Sequence, residues 1–478
     1  METYNHTYTD VAAEKKEKLD QSFRDSVGTI TKQGKRNFLF PKKPKGKLYN
    51  LRILVTLVFL AIFFSLPFVK IDGEPFFLFN VVERKFIFFG QIFWPQDFFI
   101  FAVGFLTFVV FIVVFTVVFG RVFCGWVCPQ TIFMEMIFRK IEYRIDGDAQ
   151  EQRRLKAMPL NAFKIRKRLT KVAVFYAISF LVANFFLSYI IGMDNVLKMV
   201  HEGVFVHPVT FATLIGFSTV FFFVYYWFRE QACLVVCPYG RLQGVLLDKK
   251  SMVVAYDYVR GEPRGKLKKA AIDTNQGDCI DCFACVRVCP TGIDIRNGTQ
   301  LECINCTACI DACDDIMTKI NKPLGLIRID SEENIEHSRK NKFNWRVAAY
   351  SFVLVVLLGF LVFLLLSRKD VDAKVLRTPG QIYQTLPDGR IANLYSIKLT
   401  NKTRKDIPIT LKLENVNGEI DVVGNALNVP AESYFQSPFF VKVKAANIEH
   451  RKTKISIGVY QGHKRIETAE TTFMGPEE

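Results

Sequence analysis

The sequence predicts a multi-domain membrane protein: an α-helical bundle of five spans, a cytoplasmic two-cluster bacterial ferredoxin-like domain, and a small all-β sandwich at the C-terminus. Three observations predict it. Charge-free apolar runs lie at 53–69, 98–119, 172–191, 209–228 and 347–366. Eight cysteines between Cys279 and Cys313 fall into two copies of one spacing. After Leu366 the chain changes to alternating polar and apolar residues.

The runs come first. Half of the 478 residues are hydrophobic, and 46 are Phe. A bilayer core about 30 Å thick needs roughly 20 apolar residues of helix. Four runs meet that length and the first is at its short end, so a soluble protein with five such buried core helices is a poor alternative. The first fifty residues are polar and basic, with no cleavable leader pattern, which makes 53–69 an uncleaved anchor. Residues 76–96 are apolar but broken by Glu83, Arg84 and Lys85 and carry Trp94 and Pro95. They are expected to lie on the outer interface and not to form a sixth span.

Basic residues set the orientation, because cytoplasmic loops retain Lys and Arg. Eleven lie in 1–50 and twelve in 120–171, against three in 70–97 and only Lys198 in 192–207. The N-terminus, the 120–171 loop and the 229–346 segment are therefore expected inside, and the tail after Leu366 outside. The net charge of +17 is then mainly a topology signal, not a nucleic-acid footprint. The stretch KQGKRNFLFPKKPKGK reads as a juxtamembrane anchor touching anionic lipid. The expected organisation is a basic tail over 1–50, a four-span membrane domain over 51–228, and a cytoplasmic segment over 229–346 with its ferredoxin-like part at about 270–320. A fifth span over 347–366 and an exported β domain over 370–478 follow. In that last part YSIKLTNKT and ITLKLE alternate, and Pro387-Asp388-Gly389 and Asn417-Gly418 signal turns.

All twelve cysteines lie between Cys124 and Cys313, and the exported tail has none. In a reducing cytosol such clusters point to metal or redox work, not disulfides. Cys279, Cys282, Cys285 and Cys289 have the spacing C-x2-C-x2-C-x3-C, and Cys303, Cys306, Cys309 and Cys313 repeat it. This is the bacterial pattern for two [4Fe–4S] clusters, in which the fourth Cys of each run ligates the other cluster. One cluster is expected on Cys279, Cys282, Cys285 and Cys313, the other on Cys303, Cys306, Cys309 and Cys289. A structural zinc knot uses separated Cys pairs, not three cysteines in seven residues. Asp314 stands where the first run has Pro290, a change that removes no ligand.

Four cysteines remain. FCGWVCPQ leaves the second apolar run and CLVVCPYG the fourth. Each is Cys-x3-Cys-Pro, and Phe119 and Phe228 stand five residues before Cys124 and Cys233. Spans one-two and three-four therefore read as two copies of one hairpin unit. After Pro129, residues Ile132, Phe133, Met136, Ile137 and Ile141 are expected on one helical face. At i and i+4, Cys124 and Cys128 share a face, as do Cys233 and Cys237. Pro129 and Pro238 cannot donate to the carbonyls of Gly125 and Leu234, which must find other partners. If the two spans pack together, four thiols converge, and soft thiolates favour Cu(I), zinc or iron–sulfur centres. Buried packing is the plainer reading of one such pair; two pairs at equivalent positions favour function.

Absences narrow the chemistry. No C-x-x-C-H is present for covalent haem, no span contains His for a bis-His haem, and no Gly-rich dinucleotide fingerprint appears. His201 and His207, between spans three and four, read as polar surface, with outer copper ligation as the rival.

On the two Cys-x3-Cys-Pro repeats, the segment CVRVCPTGIDIRNGTQLECINCTACIDAC and the exported β tail, the chain resembles the FixG/RdxA/CcoG cytochrome c oxidase accessory proteins, of the membrane polyferredoxin group related to NapH and NosR. The resemblance covers nearly everything from about residue 35. It implies an Ig-like fold for the tail, a bacterial inner-membrane location with that tail periplasmic, and a role in building the cbb-type haem–copper oxidase. It also implies reduction of Cu(II) to Cu(I), with Cys124, Cys128, Cys233 and Cys237 as the catalytic and copper-binding residues. Implied partners are copper ions, copper chaperones, oxidase subunits, a cytoplasmic electron donor and a second copy of the chain. The rivals are a quinone-linked, NapH-like electron-transfer subunit and a non-enzymatic scaffold whose β domain holds oxidase subunits.

Overall fold

The computed structural model describes residues 29–30, 33, 35–81, 85–94, 97–266, 276–337, 345–368, 371–378, 380, 382–403, 405–424, 427–431, 433–448 and 450–476. Most of the expected basic tail, and Glu83, Arg84 and Pro95 of the outer segment, lie outside these residues. Two compact units form, residues 1–91 with 101–359 and residues 92–100 with 360–478.

Among the described residues, five helices are long and apolar enough to cross a membrane: Lys47–Phe68, Phe98–Phe119, Ala162–Ile191, Pro208–Phe228 and Trp345–Leu366. Helix is forced there, since hydrocarbon offers no partner to an open backbone N–H or C=O. The third begins ten residues before its apolar run. Its polar start is capped by Asn161, whose side chain accepts from Lys164 N at 2.8 Å, and the Lys164 ammonium binds the Lys156 carbonyl at 3.1 Å. Hydropathy cannot see such an extension, because the helix continues where protein replaces lipid. Ser179 and Ala183 on the third span and Ser218 on the fourth are fully buried. Small residues of this kind let two spans approach closely.

Residues 76–96 form no helix. Phe77–Asn80 pairs antiparallel with Lys85–Phe88, in the register Phe77↔Phe88 and Asn80↔Lys85. Cross-strand Phe77–Phe88 and Phe79–Phe86 ring contacts at 5.1 and 4.8 Å hold the hairpin.

The two Cys-x3-Cys-Pro motifs share one backbone. Cys128 and Cys237 each cap a helix with extended ψ, of 124° and 111°, and each is followed by Pro at the first helical position. The cysteines of a pair are not on one continuous helix. Cys128 N bonds Phe123 O at 2.9 Å and Cys237 N bonds Ala232 O at 2.8 Å, both five residues back. Such wide π-type turns replace the expected i, i+4 face. Beyond Pro129 a π-helical turn over Ile132–Phe138 rotates the inward side, so Met134 and Phe138 are buried while Ile137 and Ile141 are only partly so.

In the other unit, the strands Gly418–Val422, Tyr434–Lys444, Arg390–Asn401 and Val371–Arg377 form one sheet in that order, and Thr410–Leu413, Lys452–Gln461 and Lys464–Met474 a second. Tyr395, Ile397, Leu399, Phe439 and Val441 meet Ile455, Ile457, Val459 and Phe473 in the core. The Tyr395 hydroxyl donates to Thr472 O at 2.8 Å and ties the layers together. The alternation of YSIKLTNKT is thus the inward and outward alternation of a sandwich strand.

Candidate electron-transfer and thiol site

Both cysteine runs are wound by the same device. In Cys-Ile-Asp-Cys-Phe-Ala-Cys, Asp281 and Phe283 have φ of 53° and 57°; in Cys-Ile-Asn-Cys-Thr-Ala-Cys, Asn305 and Thr307 have 51° and 64°. Left-handed residues other than Gly are uncommon, and paired repeats of them mark a backbone held to a purpose. Each run coils around a cavity and enters a helix, Ala284–Val288 or Ala308–Lys319.

One cavity, with about 340 Å³ of empty space, is lined by Cys279, Cys282, Cys285 and Cys313. The other, of about 350 Å³, is lined by Cys289, Cys303, Cys306 and Cys309, with Cys285 between the two. Burial pushes the Cys285 and Cys303 thiols up to about 12 and Cys306 to about 11. Thiolates in such a place need positive charge from iron beside them. Among the described residues, no three His, Cys, Asp or Glu converge tightly enough for one metal ion. The thiols ring cavities instead, as an iron–sulfur cubane requires, so the residues fit that group.

The second ligand run lies directly on the first membrane motif. Cys124 is buried against Val288, Ile304, Cys306 and Ala308. Gly125 has no room for a side chain: a methyl there would stand 3.0 Å from Cys306 Cα and nearer still to the Ile304 carbonyl. Trp126 Nε1 donates to Asn305 O at 3.2 Å, and the Arg121 guanidinium to Leu301 O. The Gly125 carbonyl that Pro129 leaves free accepts from Arg52 Nε at 2.7 Å.

The thiols of the two motifs are neighbours with different surroundings. Cys124 Sγ donates to Gln243 Oε1 at 2.8 Å, and Gln243 Nε2 donates to Thr116 Oγ1 at 3.1 Å. Burial raises Cys233 to about 12, and nearby Cys128, then Cys124 and Cys237, add to the rise. Cys237 Sγ accepts from Gly240 N at 3.5 Å. His207 pairs with Glu202 at 2.5 Å and joins none of these groups.

Sequence reasoning missed Arg52, Arg121, Gly125 and Gln243. Arg52 carried a signal, being an arginine one residue ahead of an apolar run, where a charge is costly enough to need a reason.

The juxtamembrane stretch, expected on lipid, packs on protein. Lys42 N bonds Arg287 O at 2.7 Å, Lys43 N bonds Asp148 Oδ1 at 3.0 Å, and the Tyr143 hydroxyl bonds Pro41 O at 3.1 Å. Asp311, between Cys309 and Cys313, accepts from Leu48 N at 3.2 Å and Tyr49 N at 2.8 Å. It therefore caps the first span. Gly46, at φ 145°, lies so close to Asp311 that no Cβ fits.

A buried ion network supports the motifs. Arg229 grips Glu142 with two bonds of 2.6 and 3.2 Å, Lys171 joins Glu142 and Asp146, and Arg139 joins Glu135 and Glu230. Burial alone would raise the Glu142 carboxyl; Arg229 and Lys171 outweigh it and hold it down to about 2. Its stabilisation is full above the ordinary value of 4.5 and is lost as pH falls towards 2. Glu142→Gln is expected to cost roughly 3–5 kcal/mol by stranding two cations. It should also flatten the wild-type loss of stability on acidification through that window, as read by thermal unfolding in detergent across pH.

Three family profiles match the chain. A 4Fe-4S dicluster domain covers residues 228–332, a 4Fe-4S binding domain covers 101–145, and the IG-like fold at the C-terminus of FixG covers 361–476. Protein RdxB of Cereibacter sphaeroides is 37% identical over 392 residues, 78% of this chain and 81% of the relative. Protein RdxA of the same organism is 35% identical over 412 residues, covering 83% and 86%. Nitrogen fixation protein FixG of Rhizobium meliloti is 34% identical over 425 residues, covering 80% of each.

Proposed function

The chain belongs to the RdxA, RdxB and FixG family of iron–sulfur membrane proteins, and from that premise we propose that it carries single electrons from a cytoplasmic donor to Cu(II) at the membrane thiols. The Cu(I) formed supplies assembly of a cbb-type oxidase. Each Cu(II) takes one electron and no proton. When bound, the two [4Fe–4S] clusters supply one-electron storage at the two cysteine-lined cavities. The chain does the rest. Cys279, Cys282, Cys285 and Cys313 hold one cluster, and Cys289, Cys303, Cys306 and Cys309 the other. Arg52, Trp126 and Gly125 keep the second ligand loop against Cys124. The thiols then favour Cu(I) as product, because soft sulfur binds it better than Cu(II).

The observation that carries this reading is the packing of Cys124 and Gly125 on residues 304–306. It puts a metal-ligating thiol within contact of a cluster-ligating loop. Metal analysis of anaerobically purified protein tests it. About eight irons and eight sulfides are expected, with copper bound in addition after Cu(II) is offered to the reduced protein. Stoichiometric zinc with little iron would end the electron-transfer reading.

The 4Fe-4S match over 101–145, which contains Cys124 and Cys128 and no other cysteine, favours a second reading. In it the four membrane thiols take a third cluster, and the iron count rises to about twelve.

The inside position of the ferredoxin-like segment and the periplasmic position of the β domain belong to the same proposal. A phosphatase fused after residue 478 should be active, and one fused near residue 250 inactive. The reverse pattern would remove a cytoplasmic donor from the account.

A further inference from the structure

The two motif helices are repeats, so what each places five residues beyond its proline can be compared. After Pro238 that residue is Gln243, and it reaches Cys124, the first cysteine of the other motif. After Pro129 it is Met134, and it lines a cavity with Cys233, again the first cysteine of the other motif. The repeat therefore crosses over: each motif supplies one side chain to the opposite thiol. The two side chains differ in kind, one an amide and the other a thioether.

The cavity at Cys233 has about 320 Å³ of empty space. Its charged walls are already engaged. Glu135 pairs with Arg139 at 3.0 Å, Glu230 with Arg139 and with Arg36 at 3.6 Å, and Arg229 with Glu142 at 2.6 Å. The sulfur atoms of Met134 and Cys233 are the soft donors among its lining residues. Cys128 is the thiol that Cys233 feels most strongly, and both thiols act on Tyr225. No third Cys, His, Asp or Glu among the described residues closes a site here, so a third donor has to be another residue type.

We propose that Met134 completes a three-sulfur Cu(I) site with Cys128 and Cys233, distinct from the Cys124 half that meets the second ligand loop. The proposal rests on the copper reading above and says where the product is held. Two thiolates and a thioether suit Cu(I), while Cu(II) prefers nitrogen and oxygen in a tetragonal arrangement. A methionine at this position thus favours the reduced ion and separates it from the thiol that stands nearest the electron supply. The plainer role for Met134 is to fill the core with Phe133, Phe138 and Tyr225. Met134→Leu separates the two roles, since it keeps the volume and removes the sulfur.

The test uses the full-length, cluster-loaded protein in detergent, with Cu(I) itself as the probe. Affinity is read by competition with a chromophoric Cu(I) chelator, and the number of sulfur neighbours by copper K-edge X-ray absorption. Met134→Leu is expected to keep its iron and its EPR signals. It should bind Cu(I) at least about tenfold more weakly, a loss that outer-shell changes alone can bring to a metal site. The sulfur count should drop from three to two. Unchanged affinity and sulfur count in Met134→Leu would make the residue packing only, with the copper reading left standing. Wild-type protein that takes up no Cu(I) would overturn the copper reading and this site together.

Discussion

Cys124→Ser is expected to abolish Cu(II) reduction while the protein inserts normally and keeps both clusters. The substitution removes no methylene, so it opens little cavity among Val288, Ile304 and Ala308. It exchanges a soft donor for a hard one at the point where the ligand loop meets the membrane motif. The loss should exceed the roughly 10–100-fold that outer-shell changes cost a metal site. It is measured as the rate at which Cu(II) reoxidises the chemically reduced clusters. Cys237→Ser should act likewise, and the double variant should be little worse than either single one, as for residues that share one site. Wild-type rates in both single variants would leave the repeated motif as a packing device.

Gly125→Ala should uncouple the two halves from the other side. The added methyl meets backbone, the Ile304 carbonyl and Cys306 Cα, not the flexible end of a side chain. Overpacking of this kind costs roughly 1–3 kcal/mol, and here it is relieved only by moving a ligand loop. Thermal stability and Cu(II)-driven cluster reoxidation are expected to fall together, with iron content largely kept. Gly359→Ala, where nothing lies within 4 Å of the new methyl, is the control and should change neither. A Gly125→Ala protein that transfers electrons at the wild-type rate would show that the contact is not the route.

These two residues also mark how far the sequence can be read. Cys124 was legible because its motif recurs at an equivalent distance after another apolar run. The spans were legible because hydrocarbon leaves the chain few choices. The strands of the β domain were legible from their alternation. Gly125 was not, since its reason is a loop 180 residues further along the chain. Arg52 with Gly125, Gln243 with Cys124 and Arg121 with Leu301 are likewise contacts between distant segments, which no local period encodes. The π-type turns at both motifs were hidden for a different reason: they need one extra residue per turn, and no residue type announces that. Phe283 and Thr307 adopt left-handed backbone that their own preferences oppose, so only the repeated cysteine spacing hinted at it.

The cap that Asp311 places on the first span has a consequence for synthesis. Leu48 and Asp311 are 263 residues apart. At about 5–20 residues per second, the first span leaves the ribosome roughly 13–53 s before its cap exists. During that interval the amides of Leu48 and Tyr49 have no Asp311 to meet. The helix Ala308–Lys319 that brings Asp311 also carries Cys309 and Cys313. Loading iron into that helix and finishing the start of the first span are thus one late event, and a cell short of iron would accumulate chains that are inserted but not closed at that end.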